Sequence, residues 1–327
     1  MDTAWRTRKT ANVQRSCFHG VYVNKIAILG GGGFVGRAVG RALRKRGAEV
    51  FCLNRTGDSN DSLVPGFAVD RSDPSNVVSA LERLEFDTVI DTIAYTEADT
   101  LPLFVRLSDW GRRLVLLSSV DVYAAFGRVL GTESAAIDDA PLTELSPLRA
   151  SRYPYSATGG RHAEYDKIPL EEAARASAGM KTTIVRLPMM FGPGDPRRRF
   201  QTVADALVND RPLRLPRSEA IWRMPLLYIE DAADGIAAAC LHNQPVAHPL
   251  LLGADQHPRW AEHAAAFAVA AGKHLDLSVD SDQMPKRQNL VLDSTLTRTL
   301  LDWAPQTPPM DAYSQTWMWE RELPRQE

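Results

Sequence analysis

The stretch KIAILGGGGFVGRAVGRALRKRGAEVFCL, Lys25 to Leu53, reads as a strand, a glycine-rich turn, a helix and a second strand. Ile26, Ala27, Ile28 and Leu29 form a short continuous apolar run, the pattern of a strand buried on both faces of a parallel sheet. Val35, Ala38, Val39, Ala42 and Leu43 recur at helical spacing, Arg37, Arg41, Arg44 and Lys45 fall on the opposite side, and Gly47 supplies a left-handed stop. Glycines between such a strand and helix let a backbone approach a diphosphate closely, while the free amides and dipole of the helix start attract its charge. The four consecutive glycines satisfy two spacings at once. Gly31, Gly33 and Gly36 give GxGxxG, and Gly30, Gly33 and Gly36 give GxxGxxG.

Composition sets wide bounds around this unit. The chain has 327 residues, 44% hydrophobic content and a formal net charge of -2, enough for a sizeable core in one large or two fused domains. No basic excess favours nucleic acid as a partner. Cys17, Cys52 and Cys240 show neither paired nor metal-ligand spacing, the histidines are scattered, and His162 alone lies near a candidate catalytic segment. No metal site is expected. The unpaired cysteines fit a reducing cytoplasm, the expected location, and no apolar run approaches the roughly 18 to 20 residues of a membrane span, so no membrane partner is expected. Residues 1–23 carry Arg6, Arg8, Lys9 and Arg15 without a following hydrophobic core and are expected to be a flexible extension.

Strand and helix signals continue to alternate. Phe67 to Val69 lead to Asp70, Asn76 to Leu84 is helical in pattern, Thr88 to Ile90 and Arg113 to Leu117 are buried strands, and Thr182 to Val185 follows a helix at Pro169 to Ala178. The expectation is an α/β fold: a Rossmann-type doubly wound parallel sheet over residues 24–187, completed by about 224–242, with a smaller, interleaved C-terminal substrate lobe over 188–327. Residues 127–160 have little periodicity and are expected to close over a substrate as a lid.

Four segments in order resemble the extended, atypical short-chain dehydrogenase/reductases, the UDP-galactose 4-epimerase-like epimerases and dehydratases. They are GGGGFVG at Gly30 to Gly36, LLSSVDVYAAFG at Leu116 to Gly127, YDKIPLEEA at Tyr165 to Ala173 and IVRLPMMFGPGDP at Ile184 to Pro196. A fifth, LLYIEDAADGIAAA at Leu226 to Ala239, looks like the strand and helix that return to the sheet in that family. The resemblance implies that Gly30, Gly33, Phe34, Val35 and Gly36 cradle the cofactor diphosphate, Asp70 and Arg71 flank the adenine, and Ile93, Ala94, Leu187 and Met189 line the rest of the cofactor site. A residue at the end of the second strand lies beside the adenosine ribose, where a carboxylate would favour NAD. Asn54 and Arg55 stand there instead, which favours NADP, with NAD as the other candidate.

The resemblance also implies a Ser, Tyr and Lys that cooperate in proton transfer during hydride transfer. Ser119 and Lys167 match the serine and the lysine, which also holds the nicotinamide ribose. The tyrosine departs from the family pattern YxxxK, because Ala163 lies four before Lys167 and Tyr165 only two before it. Tyr165, Tyr153, Tyr155 or no phenol at all are the alternatives. Arg199, in the run Arg197 to Arg199, and Arg223 are candidate contacts to an anionic or sugar-like substrate. The expected function is an NAD(P)-dependent oxidoreductase, epimerase or dehydratase acting on a sugar-like, nucleotide-sugar or other hydroxyl- or carbonyl-bearing metabolite, and a homodimer is among the assemblies implied. Two alternatives stand beside it: a redox-neutral isomerase or lyase with tightly held nicotinamide, and a degenerate cofactor-binding sensor, scaffold or RNA-associated protein.

Overall fold

The computed structural model describes residues 24–59, 61, 64–159, 163–281 and 287–323. The expectations for residues 1–23, Cys17 and His162 lie outside these. The opening unit folds as its pattern dictates: β1 (Lys25–Leu29), α1 (Phe34–Lys45) and β2 (Glu49–Asn54), with Gly47 at φ +83 just past the helix end. There follow β3 (Gly66–Ala68), α2 (Pro74–Arg83), β4 (Thr88–Asp91), α3 (Glu97–Trp110), β5 (Arg113–Ser119), α4 (Ala124–Leu130), α5 (Ile168–Ala176) and β6 (Lys181–Leu187). Helix starts are set by local chemistry. Asp73 accepts from the amides of Ser75 and Asn76 ahead of Pro74, and Thr96 accepts from the Asp99 amide, caps that contribute about 1 kcal/mol each.

The second half is shorter-grained: β7 (Met189–Phe191), α6 (Gln201–Val208), β8 (Leu213–Pro216), α7 (Arg217–Ala220), β9 (Leu226–Tyr228), α8 (Ile229–Leu241), β10 (Leu250–Leu251), α9 (Trp260–Ala270), β11 (Leu277–Asp280), α10 (Thr295–Leu301) and α11 (Pro309–Glu320). The main sheet has seven parallel strands in the order β10-β6-β5-β4-β1-β2-β3. The chain runs outward from β1 to β3, then restarts at β4 on the other side of β1. That reversal leaves a crevice at the carboxyl ends of the strands, where doubly wound sheets bind ligands.

One expectation is corrected. The strand at Leu226–Tyr228 does not complete the main sheet but pairs with Met189–Phe191 in a separate two-stranded ribbon, while Leu250–Leu251 pairs with Val185 and Arg186 and closes the sheet. β10 has only two residues, too short for a periodic signal. The helix after β9 does return: Ala232, Ala233, Ile236 and Ala237 of α8 are fully buried with Ala38, Val39 and Leu43 of α1 on one sheet face. On the other face Val77, Leu81, Leu103, Leu107 and Leu170 of α2, α3 and α5 bury Ala27, Val89 and Leu116.

Residues 127–159 are tied to the rest of the fold at several points. The Ala124 and Arg149 amides donate to Pro147 and Val122, and the Leu142 amide donates to Val291 at 2.8 Å. Among the described residues no helix is long and apolar enough to cross a membrane.

Candidate active site

The glycine turn leaves the amino end of α1 open. Gly33 is its N-cap and no side chain caps the helix, so the first amides, those of Phe34, Val35 and Gly36, face outward without an intrahelical acceptor. A Cβ on Gly33 would meet only the Gly30 carbonyl, at 3.3 Å, whereas one on Gly36 would be driven to 2.5 Å from that carbonyl and 2.6 Å from the Gly31 Cα. Gly36 is thus required by the fold itself. Gly33 is required by nothing in the chain, and its bareness beside uncapped amides fits a bound diphosphate.

Next to this turn lies a cleft of about 130 Å3 lined by Leu29, Leu53, Asn54, Arg55, Val69, Asp70, Arg71 and Ile93. Asn54 lines it, but its amide is occupied in shaping the following turn, accepting from the Thr56 and Gly57 amides and donating to the Asp58 carbonyl at 2.6 Å. Arg71 is similarly engaged, its guanidinium 2.6 Å from the fully buried carboxylate of Asp91. Asp70 accepts from the Ser72 amide at 2.9 Å, and that bond holds its carboxyl below the ordinary value. Arg55 lines the same cleft, and its charge reaches the Asp70 carboxylate and helps to lower its pKa.

Ser119 ends β5, in register with Leu187 at the end of β6. Lys167 is the N-cap of α5 and is buried, its ammonium donating to the carbonyls of Ala94 and, at 3.0 Å, Leu117. Burial lowers its pKa to about 8. Because α5 begins at Ile168, Tyr165 precedes the helix, and the spacing of two does not force it to the opposite side. Its phenol interacts with Ser119 and Asp121, and the Lys167 ammonium lies 5.7 Å from its ring centroid. Burial first, then the Asp121 charge, push that phenol well above its ordinary pKa.

The other candidates separate. Tyr155 packs against Tyr165 with ring centroids 5.5 Å apart and donates to Asp121 at 3.4 Å. Tyr153 turns away and donates to Glu97 at 2.8 Å. Tyr95, unremarked in the sequence, completes an aromatic cluster, its ring 6.1 Å from that of Tyr165 and 5.0 Å from the Lys167 ammonium. Beneath the cluster Arg149 binds Asp166 at 2.9 Å with both side chains fully buried, and Glu171 receives Arg186 and Ser118. Asp121 and Arg149 also escaped the sequence reading. Asp121 alone carried a signal, as a lone acid inside the apolar run Val120 to Tyr123.

The two candidate substrate arginines are occupied. Arg199 binds Asp195 at 2.9 Å and the Met190 carbonyl at 2.8 Å, which pins the loop after β7, and Arg223 donates to the His257 carbonyl at 2.5 Å. Arg197 is the arginine of the run whose charge reaches Tyr95 and Tyr155. Beside the cluster a cavity of about 410 Å3 is lined by Thr96, Glu97, Ala98, Tyr153, Ser156, Ala163 and Glu164. Among the described residues no three His, Cys, Asp or Glu side chains converge as a metal site requires.

This crevice, with a bare glycine turn at one end and a Ser, Tyr and Lys cluster at the other, defines a dinucleotide-dependent enzyme of the extended short-chain dehydrogenase/reductase type. Residues 26–253 match the family described as NAD dependent epimerase/dehydratase, and the chain belongs to that family. The cofactor is accordingly NAD or NADP. The chain is 23% identical over 324 residues to the dTDP-6-deoxy-L-talose 4-dehydrogenase (NAD(P)(+)) of Kitasatospora kifunensis, covering 90% of this chain and 94% of that one. Among solved structures it is similar to the UDP-N-acetylglucosamine 4-epimerase of Bacillus cereus, with a TM-score of 0.72, 18% identity and coverage of 91% and 99%. It is also similar to the UDP-glucose-4-epimerase of Stenotrophomonas maltophila solved with NAD and formylated UDP-arabinopyranose, with a TM-score of 0.71, 18% identity and coverage of 92% and 98%.

Proposed function

We propose that the protein oxidises, reduces, epimerises or dehydrates a sugar-like metabolite, with a nucleotide sugar as the leading class, at a carbon that alternates between hydroxyl and carbonyl. The observation that carries this reading is the meeting of the Tyr165 phenol with Ser119 and Lys167 despite the altered spacing. The nicotinamide, when bound, exchanges hydride with the reacting carbon. Everything else falls to the chain. Tyr165, held protonated by its surroundings, donates to the substrate oxygen and takes the proton back in the reverse direction. The Ser119 hydroxyl orients that oxygen. Lys167 gives up its bonds to the two carbonyls to hold the nicotinamide ribose, and its buried charge favours the electron-rich form of the neighbouring oxygen.

The uncapped amides of α1 and the bare Gly33 bind the diphosphate, and Arg55, lining the cleft beside a neutral Asn54, selects NADP over NAD. The cavity beside the cluster, rimmed by Glu97 and Glu164, suits hydroxyl donors of a sugar, while Arg197 meets an anionic group. We place the reaction in the cytoplasm, where the buried free thiols of Cys52 and Cys240 stay reduced. Purified protein mixed with UDP- and dTDP-linked sugars and either cofactor tests the assignment by nicotinamide absorbance and product chromatography. Turnover of such a sugar that falls in Tyr165→Phe is expected. Retention of full turnover in that variant overturns the role of Tyr165.

A further inference from the structure

Asp121 stands inside the tyrosine cluster, and the reaction above gives it no task. The residue is 4% exposed. Its amide donates to the Ser119 hydroxyl at 3.2 Å, its Oδ2 accepts from Tyr155 at 3.4 Å, and it interacts with the phenol of Tyr165, whose ring packs 5.5 Å from that of Tyr155. The other oxygen, Oδ1, is buried with no partner among the described residues. The cations that face it are turned elsewhere. Arg149 binds Asp166 and the carbonyls of Ser151 and Asp121 itself, and Lys167 binds the carbonyls of Ala94 and Leu117. A buried carboxylate with one orphan oxygen and no cation bonded to it is costly as an anion, and a proton relieves that cost. Burial accordingly raises its pKa, while Tyr165, Arg149, Lys167 and Ser119 act in the opposite direction.

We propose that Asp121 acts through Tyr165, positioning the phenol and exchanging a proton with it, with Tyr155 as the link to solvent. The inference rests on Tyr165 as the proton donor. As the substrate carbonyl is reduced, the Tyr165 O–H breaks and an O–H forms on the substrate oxygen. The phenolate then takes the proton of the Asp121 carboxyl, and the carboxylate is reloaded from Tyr155, which draws a proton from water. Each step breaks one O–H bond and forms one, and the sum is one proton taken from solvent; oxidation runs the same chain backwards. Lys167, Tyr95, Tyr155 and Ser119 also face Tyr165, and Arg197 faces Tyr155.

The test needs no substrate. Full-length protein carrying 13C-labelled tyrosine is titrated by NMR, with the Tyr165 resonance assigned by its loss in Tyr165→Phe. In Asp121→Asn the pH at which Tyr165 ionises is expected to fall by about 1 to 3 pH units, because a neighbouring anion no longer opposes the phenolate, and Asp121→Glu should restore it. The wild-type resonance should also show an acid-side inflection as Asp121 titrates, which requires no Asp121 variant to fold. An unchanged Tyr165 midpoint in folded Asp121→Asn, or no acid-side inflection in the wild type, overturns the proposal and leaves the function standing. Full turnover in Tyr165→Phe would instead overturn the role of Tyr165 as proton donor, and with it the relay, whatever the titration shows.

Discussion

Gly33→Ala and Gly36→Ala, one turn apart, should fail for different reasons. At Gly36 the new methyl lies 2.5 Å from the Gly30 carbonyl and 2.6 Å from the Gly31 Cα, and both are backbone atoms that cannot swing aside. Such overpacking costs about 1 to 3 kcal/mol of stability. At Gly33 the backbone is extended, φ -80 and ψ 176, a conformation any residue adopts, and the methyl meets one carbonyl at 3.3 Å, which a shift of a few tenths of an ångström relieves. Its stability cost should therefore stay under about 1 kcal/mol. The methyl would, however, hold a diphosphate off the helix amides. Loss of one charge-assisted hydrogen bond, about 1.5 to 3 kcal/mol, weakens cofactor binding roughly 10- to 150-fold. Thermal melting paired with calorimetric titration of NADP separates the two effects. Wild-type NADP affinity in Gly33→Ala would refute the argument that this turn receives the diphosphate.

Three further outcomes follow from the same geometry. Tyr165→Phe should cut turnover roughly 100- to 10,000-fold with cofactor affinity nearly intact, while Tyr153→Phe, whose phenol is spent on Glu97, should leave turnover within about threefold; equal losses would contradict the division of roles. Arg55→Ala should weaken NADP by about 1.5 to 3 kcal/mol and leave NAD unchanged, and calorimetry with both cofactors decides it. Lys167 has a folded pKa of about 8 against an ordinary 10.5, so between those values the unfolded chain binds the extra proton and stability rises with pH. From pH 8 to pH 10 the cofactor-free wild type should therefore gain about 2 kcal/mol relative to Lys167→Met in denaturant melts, and equal pH slopes would contradict the buried charge.

The first βαβ unit was legible because its signals are local: an apolar run, a helical period, and glycines whose place between them has few other uses. Ser119 and Lys167 were picked out by the resemblance rather than by periodicity, and they fall at the end of β5 and the start of α5. Other features of the site lay beyond local pattern. The YxxxK spacing presumes a helix that spans both residues, and here the helix starts after Lys167, so Tyr165 approaches Ser119 from outside the helix. Asp121 owes its environment to Tyr155 and Tyr165, which lie 34 and more residues away in sequence. The arginine run could not be sorted by composition alone, because Asp195 captures Arg199 and leaves Arg197 toward the tyrosines. Asn54, read from its place at the end of β2, turned out to hold its own turn, which puts the charge of the ribose end on Arg55.

The account turns on where the dinucleotide lies and which phenol it meets, and a crystal structure of the protein with bound NADP tests both together. The account predicts the diphosphate against Gly33 and the Phe34, Val35 and Gly36 amides, the 2′-phosphate at Arg55, and Tyr165, with Ser119 and Asp121 bonded to it, as the phenol nearest the nicotinamide. A nicotinamide ring closest to Tyr155 or Tyr153, or with no phenol beside it, would contradict it.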